Sequence, residues 1–98
     1  MHIISRTELI KFWQKHKDAE IPLRIWFKKV EKAKWKNINE LKSDFSSADY
    51  VGNNRVIFNI KGNNYRIIVL IFFDGQKIYI RFVGTHAEYD KITDASNK

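Results

Sequence analysis

The stretch Arg55–Val56–Ile57–Phe58–Asn59–Ile60–Lys61–Gly62–Asn63–Asn64–Tyr65–Arg66–Ile67–Ile68–Val69–Leu70–Ile71–Phe72–Phe73–Asp74–Gly75 decides the fold. Val56, Phe58 and Ile60 alternate with Ile57, Asn59 and Lys61, the period of a strand with two unlike faces. Gly62–Asn63 reads as a two-residue hairpin loop of the II′ kind, with glycine first, where φ must be positive. Tyr65 to Phe73 is apolar on both faces and is expected at the centre of a sheet. Asp74–Gly75 reads as a type I′ turn, after which Lys77 to Val83 alternates again. Antiparallel strands are therefore expected at residues 55–61, 64–73 and 77–83.

Outward from this core the chain changes character once, near residue 50. His2 to Ile4 has the makings of a short fourth strand. Ser5 or Thr7 can cap a helix over residues 6–16, with Leu9, Ile10, Phe12 and Trp13 inward. A second helix is expected over residues 19–34, with Asp18 as its cap and Pro22 in its first turn, where proline is tolerated. Leu23, Trp26, Phe27, Val30 and Ala33 form its buried stripe. A further helical turn fits Asn39 to Phe45. At the other end, Thr85–His86–Ala87–Glu88 has the spacing of a capping box and opens a short helix through about Thr93. The last residues, Ser96 to Lys98, look frayed. The sum is one α+β domain over residues 1–98: an antiparallel sheet of three to four strands packed against an N-terminal helical hairpin, with a short C-terminal helix.

The 98 residues contain no cysteine, which excludes disulfides and thiolate metal sites and fits a reducing cytoplasm. His2, His16 and His86 lack ligand spacing, so no metal or other cofactor is expected. The longest apolar run, Ile67 to Phe73, is far short of a membrane span. The net charge is +7 and lopsided: residues 1–42 hold eleven Lys and Arg against five acids, residues 43–98 seven against six. A cationic half on a small domain fits an anionic partner such as nucleic acid, and equally fits a well-solvated surface.

Turn length fixes register, and register fixes faces. Asn59 falls opposite Arg66, Leu70 opposite Tyr79, Ile68 opposite Arg81 and Arg66 opposite Val83. One face then carries Phe58, Ile60, Tyr65, Ile67, Val69, Ile71, Ile78, Ile80 and Phe82, the expected core. The other carries Asn59, Lys61, Asn64, Arg66, Tyr79 and Arg81. Arg66 and Arg81 become diagonal neighbours, placed to share one phosphate. The helix opening after Thr85 would add free N–H groups that favour an anion, with His86 and Tyr89 on one side of it. Cleaving RNA without a metal requires deprotonating a 2′-hydroxyl, stabilising a charged phosphorane and protonating the leaving oxygen. A histidine, a phenol and clustered arginines can supply those roles. Taken singly, each residue is more often an ordinary surface or packing residue; their convergence on one edge points to RNA.

The blocks Phe58–Asn59–Ile60 … Gly62–Asn63 … Tyr65–Arg66 and Ile80–Arg81–Phe82 … Gly84–Thr85–His86–Ala87–Glu88–Tyr89–Asp90 resemble the central hairpin and C-terminal signature of the HigB toxins of the RelE-like superfamily. The helical N-terminal half fits in kind. The resemblance implies a RelE-like fold and a metal-independent endoribonuclease that cuts translated mRNA in the ribosomal A site and arrests growth. It also implies a HigA-type antitoxin with a helix-turn-helix. Residue by residue, it assigns catalysis to His86, Arg66, Arg81 and Tyr89. Asn59, Lys61, Asn64 and Tyr79 are RNA-binding candidates beside them. Lys28 and Lys32, on the basic second helix, are candidates for ribosomal RNA. Two rivals share these features: a gyrase poison on the same fold, and an RNA-binding module without catalysis.

Overall fold

The computed structural model describes all residues, Met1 to Lys98. Strand β1 (His2–Ile4) precedes helix α1 (Arg6–Lys15), a 3-10 turn at Lys17–Ala19, helix α2 (Glu20–Lys32) and helix α3 (Ile38–Asp44). Strands β2 (Asp49–Gly52), β3 (Arg55–Ile60), β4 (Tyr65–Phe72) and β5 (Lys77–Thr85) follow, then helix α4 (His86–Asp90) and a 3-10 turn at Ala95–Asn97. The sheet has five strands in the order β1-β5-β4-β3-β2, with β1 parallel to β5 and the other pairs antiparallel. The α+β class holds, but five strands replace the expected three to four, and the sheet is mixed rather than antiparallel because β1 runs alongside β5 in the same direction. The helical part also exceeds a hairpin, since α3 follows α2.

The extra strand is β2. Asp49–Tyr50–Val51–Gly52 is short, sits at the sheet edge and ends on Gly52 at φ 93°. An exposed edge strand has no apolar face to bury, so it shows no alternation. At the opposite end of the sheet, the Gly62 loop behaves as its sequence requires. Gly62 takes φ 66°, Asn64 N donates to Lys61 O at 3.2 Å, and Asn59 pairs with Arg66. The Asp74–Gly75 loop keeps the expected register at Leu70 and Tyr79, but Gln76 is the residue with positive φ, at 53°. It is therefore not a type I′ turn, which needs positive φ at both central positions.

The largest departure lies inside β5. Val69 pairs with Ile80 and Ile68 with Phe82, so Arg81 is the unpaired residue of a β-bulge. Beyond it every side chain changes face. Phe82 leaves the core face for the opposite one, and Val83 turns inward to join the core. Arg66 lies opposite Gly84 rather than Val83, and Ile68 opposite Phe82 rather than Arg81. Phe82 and Gly84 share the second face so closely that a Cβ on Gly84 would sit 2.4 Å from the Phe82 ring.

Helices α1 and α2 cover the first face. Leu9, Leu23 and Val30 are fully buried there against Val56, Ile67, Val69 and Ile78. Phe27 stays at the margin of this core. Two expected caps are not made: Ser5 precedes α1 without a side-chain bond, and Ala19 rather than Asp18 occupies the cap position of α2. Asp18 instead accepts from Lys61 Nζ at 2.7 Å and from the Tyr65 hydroxyl, tying the helical layer to the β3–β4 hairpin. The Lys61 bond, then the Tyr65 bond, hold the Asp18 carboxyl below the usual carboxylate range. Helix α4 has its capping box complete: Glu88 N donates to Thr85 Oγ1 at 3.1 Å and Thr85 N to Glu88 Oε1 at 2.8 Å. It ends at Asp90, short of Thr93.

The second face is not simply polar. Ile57 and Ile68 are 3% and 0% exposed there. The C-terminal residues expected to fray instead fold across this face. Asn53 Nδ2 donates to Ser96 O at 3.2 Å, and Arg81 Nε to Lys98 O at 3.1 Å.

Two consequences can be measured. If this tail closes a real second core, Ile68→Ala should lower unfolding free energy in urea by about 2–5 kcal/mol, the range for burying-to-cavity changes. A cost under about 0.5 kcal/mol, typical of exposed sites, would mean the tail does not seal it. The second concerns Glu88, whose carboxyl is lowered chiefly by the Thr85 N–H bond. A depressed carboxyl stabilises the fold above its unfolded value and loses that contribution as pH falls through the folded one. Wild type should therefore lose stability relative to Glu88→Gln as pH falls from about 5 to about 3. Parallel pH curves for the two proteins would mean the box does not form.

Candidate active site

Four side chains meet where β4, β5 and α4 converge on the second face. Arg66 leaves the middle of the sheet on β4, opposite Gly84, which has no side chain to obstruct it. One strand position further on, Thr85 pairs with Tyr65 and caps α4. His86 N donates to Asn64 O at 3.1 Å, fastening the start of α4 to the hairpin loop. This folds His86 back over the sheet, where Arg66 Nη2 lies 3.3 Å from its Nε2. The Arg66 guanidinium carbon lies 4.5 Å from the centre of the Tyr89 ring, a cation–π contact. On the far side of the imidazole, His86 Nδ1 lies 3.0 Å from Asp90 Oδ2.

Burial grades across this group. Arg66 and Tyr89 are half-buried, whereas the His86 and Asp90 side chains are 44% and 60% exposed. The guanidinium is thus held by its surroundings while the imidazole can be reached from solvent. Arg66 Nε and Asn59 Oδ1, on cross-strand partners, are buried with no hydrogen-bond partner. The Asn59 amide nitrogen is used, donating to Ser47 O at 3.3 Å. The arrangement offers a fixed positive charge, a reachable imidazole and a phenol on one patch.

The expected site residues separate into those in this patch and those outside it. Arg66, His86 and Tyr89 come together, flanked by Asn59 and by the backbone of Asn64. Arg81 does not join them. As the bulge residue it has no strand partner, and its Nε is bonded to Lys98 O, so the expected diagonal pair of arginines is absent. Lys61 leaves its strand at φ 53° and turns to Asp18 in the helical layer. Tyr79 packs edge-on against Phe72, with ring centres 6.1 Å apart. It sits at the level of Leu70, four residues along β4 from Arg66, about 13 Å at strand rise. Lys28 and Lys32 are exposed on α2, in the layer on the other side of the sheet. The first turn of α4 is also not an open anion site: its His86 and Glu88 N–H groups are already bonded. Asp90 is the residue missed by sequence reading. Its signal was there, four places after His86 on a helix, the spacing that puts two side chains on one face.

Residues 19–92 match the family model for the HigB toxin, a RelE-like toxic component of a toxin–antitoxin system. The chain is 34% identical over 96 residues to the mRNA interferase toxin HigB of Escherichia coli (strain K12), covering 95% of this chain and 91% of that one. It has the same identity and coverage with the mRNA interferase HigB of Shigella flexneri. It is 26% identical over 95 residues to the mRNA interferase HigB of Escherichia coli O6:H1 (strain CFT073), covering 95% and 92%. The family match spans residues 19–92 and the relatives cover nearly all of the chain, and the chain belongs to the HigB toxin family.

Proposed function

We propose that this toxin is an endoribonuclease, an mRNA interferase that cuts translated mRNA in the ribosomal A site without a metal and so arrests growth. The observation that carries the reading is the 3.3 Å contact between Arg66 and His86, with Tyr89 stacked beneath the guanidinium. It joins a proton-transfer group to a fixed positive charge, the pairing that RNA cleavage needs and that binding alone does not.

In this reading the substrate's 2′-oxygen attacks the adjacent phosphorus. The phosphorus–O5′ bond breaks, leaving a 2′,3′-cyclic phosphate and a 5′-hydroxyl. His86 transfers a proton, Arg66 meets the charge that builds on the phosphorane, and Tyr89 orients the guanidinium or protonates the leaving oxygen. Incoming phosphate or base edges would also relieve the unpartnered Arg66 Nε and Asn59 Oδ1, each of which costs about 1–3 kcal/mol as it stands. Asn59 and Asn64 border the scissile position. Tyr79 and Lys61 contact RNA only beyond it, and Arg81 acts independently of Arg66. Lys28 and Lys32 hold ribosomal RNA through the basic outer face of α2. The inhibiting partner is a HigA-type antitoxin with a helix-turn-helix, and the site of action is the cytoplasm, where mRNA is translated.

His86→Ala should slow single-turnover cleavage of ribosome-bound mRNA by roughly 10²–10⁴-fold, the range for a general acid or base, with ribosome affinity unchanged. Full activity in this variant would remove His86 from the mechanism. Intact mRNA with inhibited supercoiling would instead favour a gyrase poison, and ribosome binding with no cut would favour a binding module. A second outcome follows from the bulge. Because Arg81 is bonded to the chain's tail rather than paired beside Arg66, the losses from Arg66→Ala and Arg81→Ala should multiply in the double variant. A double variant no worse than Arg66→Ala would mean that the two arginines serve one phosphate after all.

A further inference from the structure

We propose that Asp90 is a positioning residue that fixes the His86 imidazole in the tautomer with Nε2 unprotonated, making His86 the general base. The proposal rests on the ribonuclease reading above and sets the direction of proton transfer within it.

The contacts of the ring distinguish its two neutral tautomers. A guanidinium has only donors. Arg66 Nη2 lies 3.3 Å from His86 Nε2, a hydrogen bond when Nε2 presents its lone pair. The hydrogen of the neutral ring is then on Nδ1, 3.0 Å from Asp90 Oδ2, which accepts it. The other neutral tautomer would set two donors against each other at Arg66 and two acceptors against each other at Asp90. An imidazolium would keep the Asp90 bond and lose the Arg66 bond. The charged groups in contact with the ring are Arg66 from β4 and Asp90 from α4 itself. Thr85 at the end of β5 is uncharged, and the Glu88 carboxylate is turned to the Thr85 N–H. Asp90 is the only carboxylate bonded to the ring.

Its place on the helix also argues against a purely structural role. Asp90 is the last residue of α4, whose last turn holds no basic residue. A carboxylate at a helix C-terminus works against the exposed carbonyls there. Its position is explained by the residue four places earlier. When a phosphate oxygen takes the Arg66 donors, Nε2 is released towards the 2′-hydroxyl. The imidazolium that forms keeps its Nδ1–H bond to the Asp90 carboxylate, as an aspartate orients and supports the histidine of a catalytic triad.

The test has two readouts. Long-range ¹H–¹⁵N correlation spectra of the free protein, taken where the imidazole is neutral, report the His86 tautomer. Single-turnover cleavage of ribosome-bound mRNA reports the rate. Wild type should show the Nδ1–H form. In Asp90→Asn the side-chain amide can donate to Nδ1, which should shift His86 to the Nε2–H form and slow cleavage by roughly 10²-fold or more, towards the loss seen without the base. Asp90→Glu should return the Nδ1–H form and most of the rate, with thermal unfolding of all three proteins alike. A wild-type Nε2–H tautomer would overturn the proposal. So would a full rate in Asp90→Asn, or a slowed Asp90→Asn whose tautomer is unchanged. If wild type cuts no mRNA, the ribonuclease reading fails, while the spectra still decide the tautomer.

Discussion

One unpaired residue in β5 sets the position of every residue in the proposed site. Because Arg81 bulges out between Ile80 and Phe82, the strand advances one place relative to β4, and its second half presents the opposite faces. Gly84 therefore lies opposite Arg66, and Thr85 opposite Tyr65. Helix α4 starts from that end point and returns over the second face with His86 against Arg66. Without the bulge, Val83 would lie opposite Arg66, a β-branched side chain on the face that the guanidinium occupies. Bulges are found where a strand must re-aim a side chain near a site, and here the re-aimed group is the whole of α4.

The two faces of the sheet thus divide the labour. The first is a continuous core under α1 and α2, from Leu9 and Leu23 to Ile67 and Val69. It holds the β3–β4 hairpin rigid, with Asp18 bonded to Lys61 and Tyr65 as a clamp at the loop end. The second face carries a small buried patch under the C-terminal tail and, beside it, the Arg66 group. A charged residue on a central strand is well placed to act on a substrate, because its backbone cannot yield when the substrate binds. The helix that supplies His86 and Tyr89 is short, exposed and fastened at its start by a capping box and the His86–Asn64 bond.

Much of this was legible in the residues. Gly62 forces its turn because glycine alone adopts positive φ freely, and that turn alone fixed Asn59 opposite Arg66. Thr85 and Glu88 announce their box by spacing. What could not be read was what depends on counting residues within a strand. Ile80–Arg81–Phe82–Val83 offers two adjacent apolar side chains, and either one can face inward. Alternation therefore favoured Phe82, while packing chose Val83. The same ambiguity hides the bulge that leaves Arg81 without a partner. Ile57 and Ile68 lie on the face read as polar and are nonetheless buried. The tail that crosses this face, bonded to Asn53 and Arg81, is a polar segment with no sequence signal for packing. Asp90 was visible at its spacing, but only the fold shows which ring nitrogen it meets.

The central claim is that Arg66, His86 and Tyr89 cut RNA through its own 2′-oxygen. The most direct measurement is the chemistry of the new ends when the purified toxin acts on a defined mRNA under translation, read by mass spectrometry of the fragments. The account predicts a 2′,3′-cyclic phosphate on the upstream fragment and a 5′-hydroxyl on the downstream one. A 3′-hydroxyl with a 5′-phosphate would mean that water, not the neighbouring hydroxyl, is the nucleophile, and would contradict it.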